Sequence, residues 1–322
     1  MICRPCPTRR RSVREHHLAP DVSLAMVWEG AHAVDPAFLQ LGDGSPQHLQ
    51  FGCCLVRVRG TNVLLDTACG TVDFERSFSL LPAPLPHALL DTLRDDFGVA
   101  AEDVHVVVHS HLHADHIGNN VVVSEGGVLV PAFPNAVHCV RRDEWEYATT
   151  RFAHGGECPW RAVVERKFEP LRRAGMLRLL DKDGAVDARV PEVTLVHTPG
   201  HTPGHAAVRV CPVSSTGRVA YYVGDALHVP RQVECPTLTS CHDCCGWRGR
   251  AAWRSWPLHL QVRRVLGGEW APTTAAASRR ALLMRIAAEG ALLVSPHFPE
   301  PGVGTLGARH PDGGWAYAPF VS

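Results

Sequence analysis

The distribution of apolar and polar residues predicts several short strands in the first half of the chain. Residues 55–59 alternate apolar and basic side chains, a turn follows at Gly60, and residues 63–65 are apolar again, which is typical of a β-hairpin. The valine-rich run at 104–108 predicts a buried strand. Further strands are expected at residues 128–130 and 136–140.

Apolar residues at helical spacing predict helices between and after these strands. A glycine follows three of the segments, where a helix commonly ends. The predicted helices cover residues 86–97, 142–150, 161–174 and 273–289.

The second half is again rich in strand patterns. Strands are predicted at residues 193–196, 206–210, 219–223 and 291–294. Several predicted strands run directly into a histidine or an aspartate. In open α/β sheets, functional groups usually lie beyond the carboxyl ends of the strands. We therefore expect these side chains to share one edge of the fold.

Two segments depart from this pattern. Residues 1–48, with five arginines in the first twenty positions, are predicted to be an N-terminal extension that is partly disordered. Residues 235–270 are rich in tryptophan and cysteine, with poor periodicity, and are predicted to be an insertion. The domain itself is then expected to cover residues 49–322.

Composition narrows the classes of function. The chain has 32 basic and 32 acidic residues, which argues against a surface for nucleic acid or anionic lipid. No apolar run is long enough for a membrane helix. We expect a cytoplasmic protein with a small-molecule substrate, although the arginine-rich start leaves organellar targeting open, and the sequence does not decide whether the chain is a homodimer.

The 20 histidines are the outlier in composition, and three of them fall in one short motif. His111, His113, Asp115 and His116 directly follow the strand at 104–108. Imidazole and carboxylate are ligands that divalent zinc, iron and manganese accept. Because side chains of an extended segment alternate, the first two imidazoles should point to the same side. The motif therefore predicts a metal site.

The motif and the strings that follow it resemble the metallo-β-lactamase-fold hydrolases. The supporting strings are Leu64–Thr67, Thr198–His205, Gly224-Asp225 and Pro296–Phe298, which occur in the family's order. The resemblance implies an α/β fold: an αββα sandwich of two facing mixed β-sheets with helices outside. It also implies two divalent metal ions, zinc first, with manganese, iron or cobalt as alternatives.

The resemblance distributes the metal ligands over both ions. The first ion would be held by His111, His113 and His201. The second would be held by Asp115, His116 and His297, and Asp225 would bridge the two. We expect Asp66 to support an imidazole by a hydrogen bond rather than to bind metal.

The resemblance further implies a hydrolase that uses a metal-bridging hydroxide on a small ester, lactone or phosphotriester. Asp115 could pass a proton to the leaving group, and His228 is a second catalytic candidate, with a capping role as its alternative. Asp225 stands where true β-lactamases usually carry cysteine, which argues against antibiotic hydrolysis as the main activity. His113 stands where di-iron oxidases carry glutamate, which argues against oxygen reduction. A mononuclear iron sulfur dioxygenase and a non-catalytic binding protein of the same fold remain as alternatives.

Overall fold

The computed structural model describes residues 14–34, 47–70, 88–150, 161–238 and 269–320, apart from residues 215 and 312. Within these ranges the strands form two seven-stranded sheets and one two-stranded sheet. Strands are numbered along the chain.

The first sheet joins the N-terminal strands to the strand that precedes the histidine motif. In spatial order it contains β1 (Glu15–Ala19), β2 (Val22–Val34), β3 (Gln47–Val58), β4 (Thr61–Leu65), β5 (Val104–Val108), β8 (Val137–Arg141) and β9 (Leu177–Leu180). Strands β1 to β4 pair with one another in antiparallel fashion, and from β4 onward the pairs β4–β5, β5–β8 and β8–β9 are parallel. The predicted hairpin corresponds to β3 and β4 and is confirmed.

The second sheet is also mixed. In spatial order it contains β10 (Gly184–Ala185), β11 (Val193–His197), β12 (Ala206–Val210), β13 (Ala220–Tyr222), β14 (Leu292–Val294), β15 (Val303–Arg309) and β16 (Trp315–Pro319). Its neighbours are antiparallel except for the parallel pair β13–β14. The small sheet pairs β6 (Val121–Val123) with β7 (Leu129–Pro131).

The described helices lie between these strands in the chain. They are α1 (Leu89–Phe97), α2 (Ala114–Ile117), α3 (Arg142–Thr149), α4 (Arg161–Arg173), α5 (Arg231–Glu234) and α6 (Pro272–Ala288). The four predicted helices correspond to α1, α3, α4 and α6. None of the helices in the described ranges is both long and apolar enough to cross a bilayer.

The two large sheets pack face to face, and the alternation of side chains explains their shared core. Val106 and Val108 of β5 lie in one apolar cluster with Tyr222 of β13 and Val294 of β14. Val107, between the first two, points to the opposite face of its sheet. Strand β5 is therefore apolar on both faces, as the valine-rich run predicted.

Helices cover the two outer faces. Leu89 and Leu93 of α1 pack on the outer side of the first sheet with Val107. On the other side of the molecule, Leu282 and Ile286 of α6 pack on the outer side of the second sheet. The layers run helix, sheet, sheet, helix, so the predicted αββα sandwich is confirmed.

The N-terminal boundary differs from the prediction. Residues 15–34 form β1 and β2, and Leu24 and Met26 are buried in the core between the sheets. Pairing with β3 buries this segment, and that pairing is not visible in the local pattern. The folded body therefore includes part of the predicted extension. Residues 239–268, most of the predicted insertion, lie outside the described residues.

Candidate metal centre

The histidine motif begins where β5 leaves the first sheet. The backbone N–H of Ser110 donates to Asp66 Oδ1 at 2.7 Å, which keeps the segment extended beside the end of β4. Helix α2 then starts directly after His113, and the His116 N–H donates to the His113 carbonyl at 3.0 Å. The turn into α2 brings Asp115 and His116 into a second group of donor atoms, with the His116 ring 4.2 Å from that of His111. One short stretch thus supplies two different clusters.

The first cluster of donor atoms is fully buried. It consists of His111, His113, His201 and Asp225, with all donor atoms within 4.8 Å of one another. His201 Nε2 lies 2.9 Å from His113 Nδ1 and 3.1 Å from Asp225 Oδ2. His111 Nε2 lies 3.6 Å from the same carboxylate oxygen. We call this group the first donor set.

The second cluster lies on the other side of the same carboxylate. It consists of Asp115, His116, Asp225 and His297, again within 4.8 Å. His116 Nε2 and His297 Nε2 lie 3.0 Å and 2.9 Å from Asp225 Oδ1. Asp115 Oδ2 is 3.6 Å from His116 Nε2. We call this group the second donor set.

Asp225 belongs to both sets, one oxygen to each. The turn that carries it follows β13 and requires Gly224, whose φ is +50°. A Cβ atom at this position would lie only 2.8 Å from His205 Nε2. His205 Nε2 in turn accepts a hydrogen bond from the Asp225 N–H at 3.0 Å. The backbone around the shared carboxylate is therefore fixed from two sides.

The outer ring nitrogens of three imidazoles have partners that orient them. His116 Nδ1 donates to Asp66 Oδ2 at 2.8 Å, and His297 Nδ1 donates to the Gln50 carbonyl at 2.8 Å. His111 Nδ1 lies 3.1 Å from Ser110 Oγ. With these contacts made, the Nε2 atoms face inward. Asp66 therefore supports an imidazole, as predicted.

The three histidines of the first donor set have lowered pKa values, which favour the binding of a cation. Burial lowers the pKa of His111 and His113 well below the ordinary range, and it lowers the pKa of His201 to about 3. Neutral imidazole is the form that binds metal. His111 Nε2 is buried and has no hydrogen-bond partner among the described residues. A buried nitrogen in this position fits a ligand atom.

The carboxylates add negative charge to the cluster. Burial would raise the pKa of Asp225, but the neighbouring His116, His297 and His228 outweigh it and hold that pKa well below its usual value. Asp115 is the least buried ligand candidate, with 14% of its side chain exposed, and burial still raises its pKa. Imidazoles and carboxylates of this kind fit two divalent cations such as zinc.

The second catalytic candidate, His228, lies against both sets. Its Nε2 is 3.1 Å from Asp225 Oδ2, and its ring stacks on His297 with centroids 5.7 Å apart. Gln232 Oε1, rather than the His228 ring, accepts the N–H groups of residues 228 and 229 and so caps the turn. The structure thus brings together all eight residues that the sequence singled out.

Three buried side chains near the site were missed or misread. Glu29 and Glu144 accept hydrogen bonds from backbone N–H groups of nearby loops, and burial raises the pKa of each to about 7. His205, which ends one of the strings that support the resemblance, accepts the backbone N–H of Asp225 through Nε2. Its position in the Thr198–His205 string was a usable signal. The two glutamates carry no local signal.

The chain matches a known protein family. The model of the metallo-beta-lactamase superfamily matches residues 53–297, which is well over half of the sequence. The chain belongs to the metallo-β-lactamase superfamily. The resemblance inferred from the histidine motif is thereby confirmed.

Among proteins of this superfamily, the chain is similar to several N-acyl homoserine lactonases. It is 35% identical over 116 residues to the lactonase AttM of Azorhizobium caulinodans, covering 35% of this chain and 38% of AttM. It is 27% identical over 179 residues to a lactonase of Bacillus cereus, covering 53% and 62% of the two chains. The similarity thus spans less than two thirds of either relative.

Solved structures share the fold over nearly the whole chain. AidC, a dizinc quorum-quenching lactonase, superposes with a TM-score of 0.69 at 19% identity, covering 96% of this chain and 98% of AidC. AbOPH, a hydrolase of the β-lactamase superfamily, gives 0.68 at 18% identity with the same coverage. At this level of identity the likeness concerns the fold.

Proposed function

We propose that this protein is a dinuclear metal-dependent hydrolase that opens a small lactone. The observation that carries the proposal is Asp225, whose two oxygens face two separate sets of donors, 2.9 to 3.6 Å from four imidazole nitrogens. The similarity to proteins named N-acyl homoserine lactonases supports a lactone as the substrate.

The proposed metal is zinc, with manganese, iron and cobalt as alternatives. Five imidazoles and three carboxylate oxygens would hold the two ions, and this mixture of nitrogen and oxygen ligands suits zinc. When bound, two such cations would lower the pKa of a water toward about 7 and would polarise a carbonyl oxygen.

His228 is proposed to contact the substrate. Its ring lies beside Asp225 and over His297, so it borders both donor sets. A ring N–H there can donate a hydrogen bond to the carbonyl oxygen, which gains negative charge as water adds to the carbonyl carbon. Gln232 holds the backbone of this turn, which keeps the ring in place.

Asp115 is proposed to transfer the proton. When the ring C–O bond of the lactone breaks, the departing alkoxide needs a proton, and the attacking water releases one. Asp115 is the ligand candidate with a partly exposed carboxylate, at 14% of its side chain. An oxygen that is open to the substrate side can accept the proton from the water and pass it to the alkoxide.

Hydrolysis assays test this proposal. The protein is freed of metal with a chelator and reloaded with zinc, and acid release from N-hexanoyl homoserine lactone is followed with a pH indicator. Paraoxon and p-nitrophenyl acetate serve as the phosphotriester and ester comparisons. We expect zinc-dependent opening of the lactone, loss of activity on chelation, and recovery when zinc returns.

Two outcomes would contradict the proposal. Protein that holds two zinc ions and cleaves none of the three substrates would favour a non-catalytic binding protein. A single iron per chain, with oxygen uptake in the presence of a persulfide, would favour a sulfur dioxygenase instead.

A further inference from the structure

A buried carboxylate outside the donor sets connects the two loops of the first set. Glu144 lies in the first turn of α3 and is 1% exposed. Its Oε1 accepts the N–H of Leu112 at 3.0 Å. Its Oε2 accepts the hydroxyl of Thr202 at 2.6 Å and the N–H of Gly204 at 3.1 Å. Each oxygen therefore serves a different loop.

These partners are immediate neighbours of the ligand candidates. Leu112 separates His111 from His113, and Thr202 directly follows His201. The loops come from different sheets, since the first follows β5 and the second follows β11. Glu144 thus links the loop that carries His111 and His113, after the first sheet, to the loop that carries His201, after the second sheet.

The support behind Glu144 is rigid. A side chain at Gly204 would come within 2.2 Å of the Glu144 backbone nitrogen, so the loop lies directly on the start of α3. Helix α3 is held in turn by α4, because Ala148 is buried in one cluster with Val164 and Phe168. The Glu144 carboxylate is therefore held in position, and it holds both loops in turn.

We propose that Glu144 is a positioning residue that sets the separation between the His111–His113 pair and His201 and thereby the affinity of the first donor set for its metal ion. The proposal rests on the metal binding proposed above. A residue that orients ligands from outside commonly changes metal affinity by about 10- to 100-fold when it is lost.

The hydrogen bonds of Glu144 suit a carboxylate. Each oxygen accepts a backbone N–H, which can only donate: that of Leu112 on Oε1 and that of Gly204 on Oε2. Glutamine at this position would turn an NH₂ group toward one of the two loops, where it meets a donor rather than an acceptor. Glu144→Gln is therefore expected to release one loop while it keeps the size of the side chain.

The test measures metal binding rather than turnover. Metal-free wild type and Glu144→Gln are titrated with Co²⁺, and visible absorption reports each bound equivalent. The matched control is Glu29→Gln, since Glu29 is an equally buried carboxylate that accepts hydrogen bonds from Cys69, Gly70 and Asn119. We expect Glu144→Gln to weaken one of two equivalents about 10- to 100-fold, and Glu29→Gln to bind both as wild type does.

A second pair of variants covers the case in which Glu144→Gln does not fold. Thr202→Val removes one of the three donors, and Thr202→Ser retains the hydroxyl. We expect weaker binding of one Co²⁺ equivalent in the valine variant and recovery of that affinity in the serine variant.

The outcomes separate this proposal from the function on which it rests. If wild type binds two equivalents and neither Glu144→Gln nor Thr202→Val differs from Glu29→Gln, the positioning role is wrong and the hydrolase proposal stands. If wild type itself binds no Co²⁺, the proposed metal centre is wrong, and the role of Glu144 is contradicted with it.

Discussion

The hydroxyl of Tyr222, in the second sheet, donates to Asp66 Oδ2, at the end of the first sheet, over 2.9 Å. The same carboxylate accepts His116 Nδ1 at 2.8 Å and the hydroxyl of Ser110 at 2.7 Å. One buried acid therefore joins the two sheets and orients an imidazole of the second donor set. The same carboxylate therefore contributes both to the packing of the two sheets and to the geometry of the site.

Tyr222→Phe should cost stability and weaken the second donor set. A hydrogen bond to a buried charged group contributes about 1.5–3 kcal/mol, and the ring itself is retained. Urea unfolding measures the loss, and zinc content measures the effect on the site. Tyr221→Phe is the control, because Tyr221 donates to Glu289 on the outer side of the sheet. Equal losses in the two variants would contradict the special role of Tyr222.

His228→Phe should lower turnover without emptying the metal centre. Because His228 is proposed to donate a hydrogen bond to the carbonyl oxygen as it gains negative charge, its loss should reduce kcat/KM about 100-fold or more. Zinc content should remain at the wild-type level. His17→Phe, at an exposed position of β1, should change neither quantity. Loss of zinc together with activity in His228→Phe would instead indicate a ligand.

Arg279→Met should strongly destabilise the fold. The Arg279 guanidinium is buried in α6, binds the carbonyl oxygens of Ala226, Pro236 and Leu238, and forms an ion pair with Glu269. Removing one member of a buried pair typically costs about 3–5 kcal/mol. Arg280→Met changes the next, exposed residue of the helix and should be nearly neutral. Similar unfolding midpoints for both variants would contradict this prediction.

Glu29 should give the metal-free protein a specific dependence of stability on pH. Burial raises the pKa of Glu29 from 4.5 to about 7 in the folded state, so between these values the folded state retains a proton that the unfolded chain has released. The contribution of Glu29 to stability is fully present below pH 4.5 and is lost as pH rises toward 7, by up to about 3 kcal/mol.

Urea unfolding of wild type and Glu29→Gln across this pH range measures that contribution. The free energy of unfolding of wild type minus that of the variant should fall between pH 4.5 and 7 and then level off. A difference that stays constant, or that rises with pH, would show that Glu29 keeps an ordinary pKa in the fold.

The sequence predicted the central strands and the convergence of the site residues because both depend on local chemistry. Alternation fixes which valines of β5 face the core, and a strand that ends in His or Asp brings that group to the sheet edge. This pattern, together with the resemblance of the motifs to the metallo-β-lactamase-fold hydrolases, predicted that His201, Asp225 and His297 lie near His111.

The remaining contacts depend on pairing between distant segments. Strand β2 is buried because it pairs with β3, and the segment alone resembles an ordinary extension after an arginine-rich start. Glu29 and Glu144 read as surface residues, since a buried carboxylate is recognisable only from the backbone N–H groups that surround it. The hydrogen bond from Tyr222 to Asp66 could not be predicted either, because the two residues are 156 positions apart in the sequence.

The number of zinc ions bound at saturation by the metal-free wild-type chain tests the central claim most directly. Equilibrium dialysis followed by elemental analysis should give two zinc ions per chain, because the two oxygens of Asp225 face two complete sets of donors. One ion or none per folded chain would contradict the shared, dinuclear centre.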